Sequence, residues 1–185
     1  SWSSKQDGEQ VEPLRTRMRI VSGPGILILA LTVTFMSVDW AMSLDPHWFS
    51  TIFGVLFSAS DLLAAIALTI LIAKLLADSG ALGKSISTDT FHDLGNLLMA
   101  TTMLWAYLSF SQYIIIWSGN TQEEVPWYLA RTGEGWILIS LFLIVFHFAV
   151  PFLILLTRRT ERAPSTLVKV AIWMLAMRYV DLYWL

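Results

Sequence analysis

The chain has 185 residues, of which 56% are hydrophobic and 14% are charged, with a formal net charge of −2. Soluble domains average about 45–50% apolar and 25% charged residues, so this composition predicts a membrane protein with lipids as partners and excludes a basic nucleic-acid-binding surface. Because the chain contains no cysteine, disulfides, iron–sulfur clusters and cysteine-ligated zinc are also excluded.

Five apolar segments are each long enough to cross a bilayer, which needs about 20 residues of helix. The sequence therefore predicts an all-α, polytopic transmembrane helix bundle. Residues 1–19 form a polar N-terminal tail, and residues 20–185 form one membrane domain. The first helix has Gly23-Pro24-Gly25 at its entry, where a broken first turn is tolerated. The predicted helices cover residues 20–43, 48–77, 92–117, 135–157 and 166–185.

Lysine and arginine indicate the orientation. They are concentrated in the N-terminal tail and in the second and fourth loops, whereas the first and third loops hold only Arg131. Because positively charged loops face the cytoplasm, we expect a cytoplasmic N-terminus and a C-terminus on the far side. Residues 120–134 predict a structured loop on that far side. The missing initiator methionine and the abrupt end at Leu185 suggest a piece of a longer protein.

The far side also holds six tryptophans in this topology. They form either an interfacial belt or a docking surface for an extramembrane partner. They are Trp40, Trp48, Trp117, Trp127, Trp136 and Trp184.

The second helix carries Asp61 near its middle. A charge at membrane depth is costly, so Asp61 is expected to face the bundle and to have a partner. It belongs to a stripe of small and polar residues, which lets a neighbouring helix approach closely. Two interpretations stay open: a protonatable group in a proton path, or a hydrogen-bonded acid that fixes packing. The stripe contains Gly54, Ser58, Asp61, Ala65 and Thr69.

The fourth helix carries His147 at its centre, four residues before Pro151. A proline leaves a carbonyl of the preceding turn without its helical donor, so we expect that carbonyl to accept another bond. His147 could ligate haem, relay protons, contact a quinone or pack as a core residue. A bis-histidine haem is disfavoured because His47 and His92 lie at helix ends on opposite sides of the membrane.

The third helix presents Thr101, Trp105, Ser109 and Gln112 on one face, with Tyr113 beside them. This face predicts either hydrogen bonding between helices or a water-filled or quinone-facing groove.

Further ionisable residues lie near the helix ends. Arg178 and Asp181 are three residues apart in the fifth helix and are expected to pair. His92 and Asp93 open the third helix, where a carboxylate suits the N-terminus and the histidine could admit protons. Together with Asp39 at the far interface, these groups occupy different depths. The proton-path candidates are Asp39, Asp61, His92, Asp93, His147 and Asp181.

Several strings are specific enough to indicate a family. The longest is DWAMSLDPHWFSTIFG at residues 39–54, followed by HDLG at 92–95, WAY at 105–107, FSQY at 110–113 and DLYW at 181–184. On these strings, which extend over nearly the whole chain, the sequence resembles the quinone-binding subunit 2 family, a membrane component of bacterial alternative complex III. That family belongs to the NrfD/polysulfide-reductase-like class of membrane proteins.

The resemblance implies a bundle of about ten helices, of which this chain would be an internal part. Despite the family's name, it implies a non-redox, structural subunit of a quinol-oxidising complex in the bacterial inner membrane, with a proton half-channel. The chain would bind no cofactor itself; haem and iron–sulfur centres would belong to periplasmic partner subunits, and quinone would lie nearby. Other membrane subunits are further expected partners. Enzymatic activity would belong to the complex. The alternatives are a quinone-binding catalytic subunit and a proton-coupled transporter.

Overall fold

The structure, a computed structural model, describes residues 12–45, 47–80, 87–133, 135–157 and 163–185. Every regular element within these ranges is helical. A 3₁₀ turn, Met42–Leu44, follows the first helix. The helices are α1 (Glu12–Trp40), α2 (Phe53–Ser79), α3 (Thr88–Gly119), the short α4 (Val125–Ala130), α5 (Trp136–Leu155) and α6 (Pro164–Trp184).

Some of the sequence predictions fall outside the described residues. Residues 1–11 of the predicted tail lie there, so only the helical part of that tail can be compared. The same holds for five of the basic residues that indicated the orientation: Lys5, Lys84, Arg158, Arg159 and Arg162.

Three of the described helices are long and apolar enough to cross a membrane: Arg15–Leu44, Phe53–Ser79 and Trp136–Leu155. They indicate a membrane protein. Helices α3 and α6 are long enough, but α3 is interrupted by polar side chains and α6 contains Lys169, Arg178 and Asp181. The predicted count of five spans is therefore not confirmed, and spanning by α3 and α6 stays a prediction.

Helix α1 begins at Glu12, eight residues before the predicted start. The apolar run begins later, but Pro13 suits a first turn, and the Arg and Met residues that follow favour helix. Gly23-Pro24-Gly25 consequently lies inside the helix rather than at its entry.

Helix α3 begins at Thr88 because Ser87 caps it. The Ser87 hydroxyl accepts a hydrogen bond from the Thr90 N–H, and the Thr90 hydroxyl accepts one from the Ser87 N–H, both at 3.3 Å. Asp89 therefore occupies the first turn. The prediction that His92 and Asp93 open this helix is wrong.

Helix α2 lies at the centre of the bundle and packs against α1, α3 and α6, while α5 packs against α3 and α6. Helices α1 and α2 approach each other closely at Gly54, where an added Cβ would lie 2.6 Å from Thr34 Cγ2. The close approach predicted for the small-residue stripe is confirmed at this end of it. Fully buried side chains of the central core are Leu63, Ala67, Ile70, Leu98, Leu155, Leu167, Ala171 and Met174.

One end of the bundle, which we name the aromatic end, holds a second cluster of buried side chains. It joins the start of α2, the end of α3 and helix α4, and the end of α6 packs against it. Helix α4 confirms the predicted structured loop within residues 120–133. The cluster consists of Met42, Trp48, Phe53, Ile116, Trp127 and Tyr128.

Candidate functional site

A cluster of three charged side chains links α2 to α6. The buried Arg178 donates from Nη1 to Asp181 Oδ2 at 2.6 Å and from Nη2 to Asp61 Oδ1 at 3.0 Å. The predicted pair of Arg178 and Asp181 is confirmed. The third member, Asp61, was not predicted as its partner, because sequence spacing does not show which helices are neighbours.

The charged cluster has a buried half and an exposed half. The side chains of Arg178 and Asp181 are each 7% exposed, whereas that of Asp61 is 42% exposed. Arginine keeps its charge in proteins, so two ionised carboxylates around it leave one negative charge in excess. One carboxylate can therefore bind a proton while the other still pairs with Arg178.

His147 is connected to this cluster through Trp105. The Trp105 side chain lies close to the Asp181 carboxylate, and its ring stacks on the His147 ring with centroids 4.1 Å apart and planes inclined by 28°. His147 is fully buried, and neither of its ring nitrogens has a hydrogen-bond partner among the described residues. Buried polar atoms without partners are rare and call for an explanation.

The carbonyl freed by Pro151 is that of Phe146. Residues Ile144–Ala149 form a π turn, in which the Val150 N–H donates to the Val145 carbonyl. In the same register the Phe146 carbonyl would accept from residue 151, which as proline has no N–H. Trp173 Nε1 of α6 donates to it instead, at 2.8 Å. The predicted extra bond is confirmed, and the π register explains why Phe146 accepts it.

A cavity of ≈ 640 Å³ lies between α2, α3, α5 and α6, beneath α4. It opens because residues 136–143 of α5 pack against α6, whereas α3 packs against the later part of α5. The volume is within the usual range for small-molecule sites. The structure brings together on its wall the four residues proposed for a groove: Trp105, Ser109, Gln112 and Tyr113.

Gln112 is the most informative polar residue of the wall. It is 1% exposed, and its Oε1 has no hydrogen-bond partner among the described residues. The remaining wall is mainly aromatic and aliphatic. This arrangement of an apolar chamber with an unpartnered acceptor fits an amphiphile that carries a hydrogen-bond donor. The occupant itself stays a prediction.

At the aromatic end, next to the cavity, Arg131 connects helices α4 and α6. Its guanidinium lies 3.6 Å from the centroid of the Trp127 ring. Its Nε donates to the Trp184 carbonyl at 2.9 Å, and Nη1 donates to the Trp127 carbonyl at 3.2 Å. The ring of Trp48 also stacks on the Trp127 ring, with centroids 4.5 Å apart. Arg131 is the only Lys or Arg in its loop, but that signal was used only for the orientation of the chain and did not predict these contacts.

Burial changes the acid–base properties at this end. Desolvation raises the pKa of Tyr128 well above its ordinary value, although the positive charge of Arg131 opposes the shift. Desolvation also lowers the pKa of Arg131, against the attraction of Asp45. Both side chains line the cavity.

The structure brings together only some of the proton-path candidates. Asp61, His147 and Asp181 lie around Arg178 and Trp105. Asp39 lies exposed at the end of α1. His92 and Asp93 lie far along α3: His92 Nδ1 is 3.1 Å from Asn96 Nδ2 and 3.8 Å from Asp93 Oδ1. At 1.5 Å per residue, His92 is about 20 Å from Trp105.

The resemblance to the quinone-binding subunit 2 family stays a prediction. Comparison of the chain with protein-family models and with curated proteins finds no match in either.

Proposed function

We propose that this chain is a non-redox membrane subunit of a quinol-oxidising electron-transfer complex, as its resemblance to quinone-binding subunit 2 of alternative complex III implies. It lies in a bacterial inner membrane, with the start of α1 on the cytoplasmic side and the aromatic end on the periplasmic side. Its partners are other membrane subunits and periplasmic subunits that hold haem and iron–sulfur centres. The chain itself supplies structure and a proton half-channel.

The charged cluster is the observation that supports this proposal best. Ionisable side chains at membrane depth are rare and typically mark ion or proton routes. Arg178 keeps a partner while either Asp61 or Asp181 is protonated, so the cluster can exchange a proton and stay paired. His147 lies one stacking contact away, across Trp105. This arrangement would support both proton exchange and the packing of α2 against α6.

The proposal includes five spanning helices. Helix α3 has 32 residues and α6 has 21, which correspond to about 48 Å and 31 Å of helix, enough for a bilayer core of about 30 Å. Gln112 of α3 and Arg178 and Asp181 of α6 are buried inside the bundle. Lipid would therefore not contact these three side chains.

Purification tests the assignment to a complex. An affinity tag on this chain, with extraction from native membranes in a mild detergent, is expected to yield a quinol-oxidising assembly with haem absorbance and iron–sulfur subunits. Isolation of the chain without any redox partner would contradict the proposal and favour a proton-coupled transporter.

Substitution of the cluster tests the half-channel. In the isolated complex reconstituted into vesicles, Asp61→Asn and His147→Ala are expected to slow proton release roughly tenfold or more, since positioned proton-transfer groups contribute at least that much. Glu123→Gln is the control, because it removes an exposed carboxylate that is not one of the proton-path candidates. Unchanged proton release and quinol oxidation in both variants would remove the half-channel from the proposal.

A quinone-binding catalytic role is the second candidate, and the cavity favours it. A quinol hydroxyl would supply the donor that Gln112 Oε1 lacks, and the aromatic wall suits a ring. A photoreactive quinone is expected to label the wild-type chain and to lose most of its labelling in Gln112→Leu. Ser111→Ala, one residue away and outside the cavity wall, is the control. Equal labelling of Gln112→Leu and wild type would reject this candidate.

A further inference from the structure

Helix α4 covers the cavity without filling it. Trp127, Tyr128 and Arg131 line the part of the wall that belongs to this segment. The Tyr128 ring meets the ring of Tyr113 on α3 edge-on, with centroids 5.5 Å apart. From Tyr113 the wall continues along α3 to Trp105, eight residues and about 12 Å farther into the bundle. The cavity therefore begins under α4 and extends into the bundle.

A few large side chains hold α4 in place. Among the described helices, those whose backbones pack closely together do not include α4. Arg131 donates from Nε to the Trp184 carbonyl of α6 at 2.9 Å and from Nη2 to the Leu185 carbonyl. Its guanidinium also contacts the Trp127 ring, which stacks on Trp48. A segment attached through so few contacts opens locally more readily than a helix packed along its length.

The backbone on either side of α4 is suited to act as a hinge. Asn120, where α3 ends, has a φ of 47°, and Gly135, just before α5, has a φ of 94°. Both angles lie in the left-handed region. Nothing lies within 4 Å of a Cβ added to Gly135, so its backbone is not enclosed by neighbouring atoms. Small or turn-forming residues at the ends of helices are typical hinge positions of lids.

We propose that α4 is a lid that closes the cavity at the aromatic end, and that the contacts of Arg131 keep it closed. When the lid opens, water at that end reaches the cavity wall. The wall includes Gln112, whose Oε1 has no partner among the described residues, and Asp181, the buried carboxylate of the charged cluster. The inference rests on this geometry and does not depend on the proposed function.

Access of a thiol reagent to the cavity tests the lid. The 185 residues contain no cysteine, so Ser109→Cys introduces one on the cavity wall. Native membrane vesicles are treated with a charged maleimide, which lipid excludes, and the modified peptide is quantified by mass spectrometry. Ser109→Cys is expected to react slowly. Adding Arg131→Gln should raise the rate about tenfold or more, because the hydrogen bonds of a charged donor are lost.

Two further cysteine variants serve as controls. Glu123→Cys, exposed in the segment before α4, identifies the vesicle orientation that presents the aromatic end to the reagent. The faster reaction of Ser109→Cys is expected only in that orientation. Thr102→Cys is the matched buried control, because Thr102 lies on the same helix, is fully buried and is not part of the cavity wall. It should stay unreactive with either residue at position 131, which separates opening of the lid from unfolding of the bundle.

The proposal is overturned if Ser109→Cys reacts equally fast with arginine and with glutamine at position 131, or if it reacts in neither case. If Arg131→Gln also exposes Thr102→Cys, Trp127→Phe takes its place. This change keeps a ring beside Trp48 and weakens the contact with the guanidinium. It should speed the reaction of Ser109→Cys about threefold, and an unchanged rate would overturn the proposal. If the chain purifies without redox subunits but the lid opens as expected, only the proposed function fails.

Discussion

Replacement of Gly54 by alanine tests the packing of α1 against α2. The added Cβ would lie 2.6 Å from Thr34 Cγ2 and 3.1 Å from Thr34 Cβ, whereas carbon atoms in contact are usually about 3.5–4.0 Å apart. Thr34 cannot turn away freely, because its hydroxyl donates to the Ala30 carbonyl at 2.7 Å and its χ1 angle is restricted by branching at Cβ. Helix α1 must therefore move by about 1 Å.

The expected change in the free energy of unfolding follows from two opposing effects. Overpacking of this kind destabilises by about 1–3 kcal/mol, and replacement of a helical glycine by alanine stabilises by about 1 kcal/mol. Gly54→Ala should therefore lower the free energy of unfolding by about 1 kcal/mol. Gly25→Ala is the control, because nothing lies within 4 Å of its added Cβ; it should gain up to about 1 kcal/mol.

A double-mutant cycle separates the clash from other effects. Thr34→Ala removes Cγ2 but leaves the Cβ at 3.1 Å, so it should recover part of the loss in the Gly54→Ala background. The measurement is reversible unfolding in mixed micelles, followed by circular dichroism. If Gly54→Ala were as stable as Gly25→Ala, or if the two substitutions at Gly54 and Thr34 were additive, the deduced contact would be refuted.

Three further outcomes are expected. Trp173→Phe should destabilise by about 1 kcal/mol, seen as a lower melting temperature, because the Phe146 carbonyl loses its donor; an unchanged value would contradict the bond. Arg131→Lys should speed amide exchange in the last turn of α6, because the three donors of an ammonium share one nitrogen and cannot reach all the carbonyls that Nε, Nη1 and Nη2 of Arg131 contact; equal exchange would argue against these contacts. Because burial raises the pKa of Tyr128 in the folded chain, the associated stability is complete below the ordinary pKa of about 10 and is lost above it. Tyr128→Phe should flatten this alkaline loss in a pH series of melting temperatures, and an identical slope would refute it.

Hydropathy and spacing predicted the local features of this chain well. They indicated the helical class, the structured loop that contains α4, and the i, i+3 pair of Arg178 and Asp181. They also predicted an extra bond to a carbonyl near His147. Each of these follows from residues within one or two turns of each other, where helix geometry alone determines the neighbours.

Contacts between distant segments were beyond sequence reasoning. Nothing in the local pattern indicates that Arg178 reaches Asp61, 117 positions away, or that Trp48 stacks on Trp127. Both contacts depend on which helices pack together, and a short stretch of one sequence does not show this. The start of α1 was predicted too late for a different reason. Hydropathy indicates which residues suit contact with lipid, whereas helix formation depends on helix propensity. The helix therefore includes the polar residues Arg15 and Arg19.

The π turn in α5 has a consequence for how this helix is aligned. Its buried residues, Leu143, His147, Pro151 and Leu155, follow one another at intervals of four. In an α-helix each such step would drift by about 40° around the axis, so the fourth residue would face well away from the first. The wider π turn takes up part of this drift and keeps the line directed at the core. Deleting one residue between 144 and 149 would therefore rotate the later half of α5 relative to the earlier half and shift the line out of register.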